Sequence, residues 1–207
     1  HFWMRSMNDT KVIRHYTTCN AMATNYYNEL VRVLREPEQV GTFDKSVLNS
    51  AESNTMTFTI KNYKKEGGFS YRPFETDQRA DYELKGPMGK GLAPEKEGIH
   101  LAFCAGTGAL CFVDMLAHIA LAELDLLSAE DHEAGSIMTD RFEMHMYASF
   151  PSKAEGVAWD LMEALDIYCK TKGSKSFTLH PRLSKEKINP ARWNEPWIEK
   201  TLLSYPA

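Results

Sequence analysis

The chain has 207 residues, with 43% hydrophobic and 25% charged side chains, which excludes a disordered tail or a collagen-like fibre and leaves room for one or two domains. A formal net charge of -4 and a pI near 6.0 exclude a global basic field for nucleic acid or an anionic membrane. Four cysteines, Cys19, Cys104, Cys111 and Cys169, show neither a C-x-x-C pair nor zinc spacing, and favour a reducing intracellular compartment over a disulfide scaffold.

In chain order, two short strands are expected over residues 1–5 and 11–17, with Asn8-Asp9 as the hairpin turn between them. The opening His1-Phe2-Trp3-Met4-Arg5 shows no signal-peptide pattern and reads as a strand cut from something longer. Residues 20–35 set Tyr27, Leu30, Val31 and Leu34 at helical spacing, with Pro37 and Gly41 as stops. Met56, Phe58 and Ile60 alternate with Thr57, Thr59 and Lys61, which predicts a half-buried strand. Residues 64–70, with Gly67-Gly68, read as a loop. A strand over 81–85 runs into Gly86-Pro87-Met88-Gly89-Lys90-Gly91, a tight, shaped turn.

After a charged linker over 93–98 come an apolar strand (99–104), a glycine turn (105–108) and a helix (109–127). That helix carries Asp114, His118, Glu123 and Asp125, so no transmembrane segment is expected. An acidic loop over 128–140, a strand over 142–149 and a helix over 152–172 follow; the helix sets Val157, Leu161, Leu165 and Tyr168 on one face and Gly173 at its end. A last strand spans 176–180, and the polar remainder has Trp193 and Trp197 as anchors. The first half is strand-rich; the second alternates strand and helix, which predicts a parallel sheet.

The glycine turn Ala105-Gly106-Thr107-Gly108 lies between a buried strand and a helix, where backbone N–H groups and the helix dipole favour a phosphate. The simpler reading is a turn that only closes a β–α corner. It is neither the G-x-G-x-x-G fingerprint nor a P-loop. Arg14 offers a fork for phosphate, Tyr16 and Tyr63 offer flat rings, and Ser70 after two glycines offers a pyrophosphate cap. Each of these alone also suits an exposed strand, a core or a turn.

Taken in order, Arg14-x-Tyr16-Thr17, Ile60-Lys61-x-Tyr63, Gly67-x-x-Ser70, Gly86-Pro87-x-Gly89 and Gly106-Thr107-Gly108 resemble the ferredoxin-reductase-type flavoproteins, in the branch that includes NADH-cytochrome b5 reductase and nitrate reductase. The resemblance runs from residue 1 to about residue 180. It implies an incomplete antiparallel Greek-key β-barrel that binds FAD over 1–95, with a helical insertion at about 18–54. An α/β NAD(P)-binding domain with a parallel sheet would follow over 96–207.

By the same resemblance, Arg14 contacts the flavin phosphate, Tyr16 packs on the isoalloxazine and Thr17 sits near its reactive nitrogen. Tyr16 and Thr17 are thus the expected catalytic residues. Ile60, Lys61 and Tyr63 are assigned to the cofactor, Gly67, Gly68, Phe69 and Ser70 cradle its pyrophosphate, and Gly106, Thr107 and Gly108 receive that of the nicotinamide dinucleotide. The implied activity is hydride transfer from NAD(P)H to FAD and electron transfer to a redox protein or fused heme domain. The stretch 149–153 has no Arg for a 2′-phosphate, so NADH is expected, with NADPH as the alternative.

The chain departs from that pattern in four places. Cys111 stands where the family has proline, and the connection between Thr17 and Met56 is long. Barrel strands before residue 1 and the terminal Cys-Gly-Pro element are missing. These departures motivate an alternative, a non-catalytic scaffold or interaction module of the same fold in a larger assembly. The seven histidines are scattered, Asp131-His132-Glu133 reads as solvated surface, and no metal site is expected. The lack of a Gly-x-Ser-x-Gly elbow argues against a serine hydrolase. Lys61, Lys64 and Lys65 form a small basic patch that suits FAD phosphates better than nucleic acid.

Overall fold

Two separate three-stranded sheets organise the chain, seen in a computed structural model that describes residues 1–6, 9–48, 55–62, 81–127, 139–189 and 193–206. The first is antiparallel. Its central strand β1 (Phe2–Ser6) is flanked by β2 (Asp9–Tyr16) and β3 (Tyr82–Lys85). The alternation of side chains puts Phe2 and Met4 on the same face as their partners Tyr16 and Arg14, and Met4 is buried. On the opposite face the Arg5 guanidinium lies 5.2 Å from the centre of the Trp3 ring and pairs with Glu83. Gly86 follows β3 beneath Phe2: a Cβ there would lie 2.7 Å from the phenyl ring, so any side chain at this corner would force Phe2 to shift.

Of the incomplete barrel that the resemblance implies, the described residues show this one antiparallel sheet, and it does not close. The strand expected over 56–60 is reduced to one bridge, Thr18 to Phe58, and Met56 is 51% exposed. Alternation alone did not make a ladder there, because only Thr18 and Cys19 pair with it, Cys19 N donating to Thr57 O at 3.0 Å. Of the expected hairpin turn, Asn8 lies outside the described residues and Asp9 already belongs to β2.

The second sheet is parallel, as its strand–helix alternation predicts. β4 (Gly98–Ala105), β5 (Phe142–Phe150) and β6 (Phe177–Leu183) lie side by side in that order. Ala102 and Cys104 of β4, Met144, Met146 and Ala148 of β5, and Phe177 and Leu179 of β6 are buried in one core with the crossover helices. These are α2 (Val113–Glu123) and α3 (Trp159–Lys172).

Both helices are shorter than expected. Residues 106–112 tighten into a 3-10 turn before α2, and Asp125 turns left-handed (φ 57°) after it. Ala158, also left-handed at φ 56°, delays α3 until Trp159. Gly173 ends α3 at φ 72°, as read from the sequence. The polar tail holds a helix that sequence periodicity did not indicate, α4 (Glu195–Leu203). Asn194 caps it by accepting from Trp197 N at 3.0 Å, with Pro196 in its first turn.

The helix α1 (Thr24–Arg35), read as an excursion of the first half, is built into the second. Its Leu30, Val31, Val33 and Leu34 are buried in the α/β core, against α2 and α3. Tyr27 Oη accepts from Leu161 N at 3.2 Å, and Arg35 pairs with Asp160 at 2.6 Å. With four residues in this core, the helical insertion is a structural part of the α/β unit.

Candidate functional site

Open α/β sheets bind ligands beyond the carboxyl ends of their strands. Here that edge begins at Ala105, where β4 passes into Gly106-Thr107-Gly108. Gly106 has φ 52°, which accounts for one glycine. Gly108 is different: its φ is not left-handed, and a Cβ on it would meet no heavy atom within 4 Å. Closing the β–α corner therefore does not demand a second glycine, whereas close approach of a ligand to the backbone would. Thr107 is exposed at the start of this turn.

The strand register sets Ala105, Ser149 and Arg182 in one row across β4, β5 and β6. Arg182 Nη1 donates to Ser149 Oγ at 2.9 Å. This guanidinium comes from the next strand and not from the stretch 149–153, so local sequence does not show it.

Thr17 reaches the same edge from the other sheet. β2 ends at Tyr16, and Thr17 Oγ1 lies 3.8 Å from Cys111 Sγ, five residues beyond Gly106. The chain then enters the α/β core directly. Cys19 and Ala21 are buried, Cys19 Sγ lies 3.4 Å from Thr59 Oγ1, and Ala21 N donates to Asp114 Oδ1 at 2.9 Å. These contacts tie residues 17–21 to the first turns after the glycines.

Arg14 shares a face of β2 with Tyr16; it is exposed and donates from Nη1 to Ile13 O at 2.9 Å. Ile60 is half-buried and Lys61 exposed, both just beyond the Thr18–Phe58 bridge. Tyr63, Gly67, Gly68, Phe69 and Ser70 lie outside the described residues. The structure thus brings Thr17 to the segment after Gly106–Gly108 and sets Arg14 and Tyr16 on the strand leading to it. Cys111 is exposed, whereas burial pushes the thiols of Cys104 and Cys169 up to about 12 and that of Cys19 upward.

A second cluster sits on the same face of the parallel sheet as Ser149 and Arg182, one row back along the strands and opposite the core helices. Phe103, Tyr147 and His180 stack across the three strands, with centroids 4.8 Å and 4.3 Å apart. Trp193 and Trp197, themselves stacked, stand edge-on over Phe103 and Tyr147. His145 Nδ1 lies 3.2 Å from His180 Nε2, and Tyr147 Oη 2.8 Å from Tyr205 Oη. Burial lowers the pKa of both imidazoles; the Glu143 carboxylate works against this at His145, and His145 works with it at His180. Burial, reinforced by the bond to Tyr205, raises that of Tyr147. The histidines look scattered in sequence, yet 145 and 180 fall on neighbouring strands with their side chains on one face.

Among the described residues, one helical segment, 106–123, is long and apolar enough to cross a membrane by composition, and here Ala109, Leu110, Val113, Leu116, Ala117 and Ile119 of it are core residues. A scan of family models, and searches of the curated proteins and of the solved structures, found no match to this chain.

Proposed function

We propose that this chain is a flavin-dependent oxidoreductase that takes a hydride from NAD(P)H and passes the electrons to an acceptor such as a heme protein. One observation carries the reading. Thr17, at the end of the Arg-x-Tyr-Thr motif, meets Cys111 just after the Gly-Thr-Gly turn, although 94 residues separate them. Two motif sets that the resemblance assigns to two nucleotides thus converge on one place, as direct hydride transfer between two rings requires.

In this reading residues 1–95 contribute the FAD side, as part of a barrel, and 96–207 the nicotinamide side. FAD, when bound, accepts the hydride and releases electrons singly; the protein orients and screens it. Arg14 holds a phosphate through charge-assisted hydrogen bonds, and Tyr16 supplies a ring for stacking. Thr17 contributes a hydroxyl where the two halves meet. The backbone N–H groups after Gly106 face a second phosphate at a helix start. Arg182 beside Ser149 supplies the guanidinium missing from 149–153, so NADH and NADPH are both admitted as donors.

Arg14→Ala tests the assignment. It is expected to weaken FAD retention by roughly 1.5–3 kcal/mol, the worth of one charge-assisted contact. Unchanged flavin affinity in a folded variant would remove Arg14 from the site.

A further inference from the structure

α4 lies on the sheet face opposite the core helices without joining the core. None of its residues is buried, and Leu202 and Leu203 are 48% and 85% exposed. Aromatic rings seat it. Trp193 and Trp197 stand edge-on over Phe103 and Tyr147. Just beyond the helix, the Tyr205 hydroxyl lies 2.8 Å from that of Tyr147, and its ring tilts over His145 with centres 4.7 Å apart.

Among these rings His145 and His180 face each other from neighbouring strands, with Nδ1 of one 3.2 Å from Nε2 of the other. Such a contact needs one N–H and one lone pair. The neutral pair has both, and so does the pair with one added proton, held on a far nitrogen. A second added proton sets two N–H groups and two positive charges against each other, and the rings must part. His145 touches the Tyr205 ring, and His180 stacks on Tyr147, whose hydroxyl bonds to Tyr205. Movement of either imidazole therefore acts on the Tyr205 anchor.

We propose that α4 and Tyr205 form a proton-operated cover: double protonation of the His145–His180 pair releases them and bares the Phe103–Tyr147 face of the sheet. Nearby charges set where the pair titrates. On β5 the Glu143 carboxylate lies 3.8 Å from His145 Nε2 and favours its proton, and Lys175 lies 3.7 Å from the other oxygen of Glu143. From α3, Asp166 favours a proton on His180 and Lys170 opposes it. β4 sets uncharged Leu101 and Phe103 on this face, and Arg182 follows His180 on β6 by two residues. The charged residues of α4, Glu195, Glu199 and Lys200, are exposed. Burial lowers the pKa of both imidazoles in the covered state. The cover is therefore fully held above the free value of about 6.5 and weakens as pH falls toward the folded one. For the one proton that the closed pair refuses, a drop from pH 7.5 to 5.5 favours release by about tenfold.

Hydrogen exchange of the full chain, read by mass spectrometry and corrected for the intrinsic effect of pH, tests the cover. A nine-residue helix is marginal on its own, so release exposes its amides. Protection of residues 195–205 should fall about tenfold from pH 7.5 to 5.5 while that of α3 holds. The double variant His145→Phe, His180→Phe keeps both rings and should show no such fall. Glu143→Gln, which removes a carboxylate that favours the proton, should move the fall to lower pH. Thermal melts at pH 7.5 report whether each variant folds. Imidazole nitrogen NMR on the unmutated chain needs no variant: the second protonation of the pair should share its midpoint with the loss of protection in 195–205. Constant protection between the two pH values, a fall that persists in the double variant, an equal loss in α3, or a midpoint that the imidazoles do not share would overturn the proposal.

Discussion

Asp166 is the one buried charged or polar side chain among the described residues, and its surroundings explain why it is tolerated. One oxygen accepts from Leu179 N at 2.9 Å, satisfying a backbone donor of β6, and the other meets Lys170 Nζ at 2.5 Å. Asp166→Ala leaves that donor buried and unpaired and is expected to cost about 1.5–3 kcal/mol, with Asp166→Asn costing less, in denaturant unfolding. Thiol reactivity follows burial in the same way. Cys19, Cys104 and Cys169 are buried with raised pKa values, so a thiol reagent on the folded chain should titrate Cys111 alone, and all four only after unfolding. At this scale sequence reading recovered residue types better than residue relations. Arg14, Tyr16 and Thr17 stood out as a motif, but the Thr17–Cys111 approach, the Arg182–Ser149 bond and the histidine pair depend on strand register and chain return. No local spacing encodes those.

Elements were legible where a single physical signal dominated. β4, β5 and α1 follow from apolar runs and a 3.6-residue period, and Gly173 marks the end of α3. Boundaries failed where backbone conformation overrode composition, as at left-handed Asp125 and Ala158. Asp125 follows α2 with Leu126 N donating back to Leu121 O at 2.8 Å, the arrangement in which glycine is favoured. Asp125→Gly relieves the left-handed strain and removes a negative charge from a helix C-terminus. It should raise stability by about 0.5–1 kcal/mol in thermal or denaturant melts. On α1, Glu29 accepts from Arg32 at 2.9 and 2.6 Å and from Asp44 N at 3.1 Å, and the Arg32 guanidinium chiefly holds its carboxyl below the usual range. The folded pKa lies below the unfolded one. The contribution is therefore complete above about pH 4.3 and is lost as pH falls through the folded pKa. Melting temperature should fall more steeply on acidification in the unmutated chain than in Glu29→Gln.

At the scale of the molecule, the expected contrast between a strand-rich first half and an alternating second half matches the two sheets; of the incomplete barrel that the resemblance implies, an antiparallel three-stranded sheet is seen among the described residues. Composition could not show where α1 would pack, because its apolar stripe fits any core of the right shape. Its burial against α2 and α3 predicts that a fragment of residues 96–207 lacks cooperative unfolding in a thermal melt, whereas the whole chain retains it. The same connection, running from Tyr16 through Thr17 to the core at Cys19, brings the two motif sets together. The central claim is that this meeting place serves flavin chemistry. The direct measurement is the visible spectrum of the purified chain reconstituted with FAD under anaerobic conditions, followed as NADH and then NADPH is added. The account predicts a bound flavin band that bleaches with one or both nucleotides; failure of the chain to retain FAD, or a bound band that neither nucleotide bleaches, would contradict it.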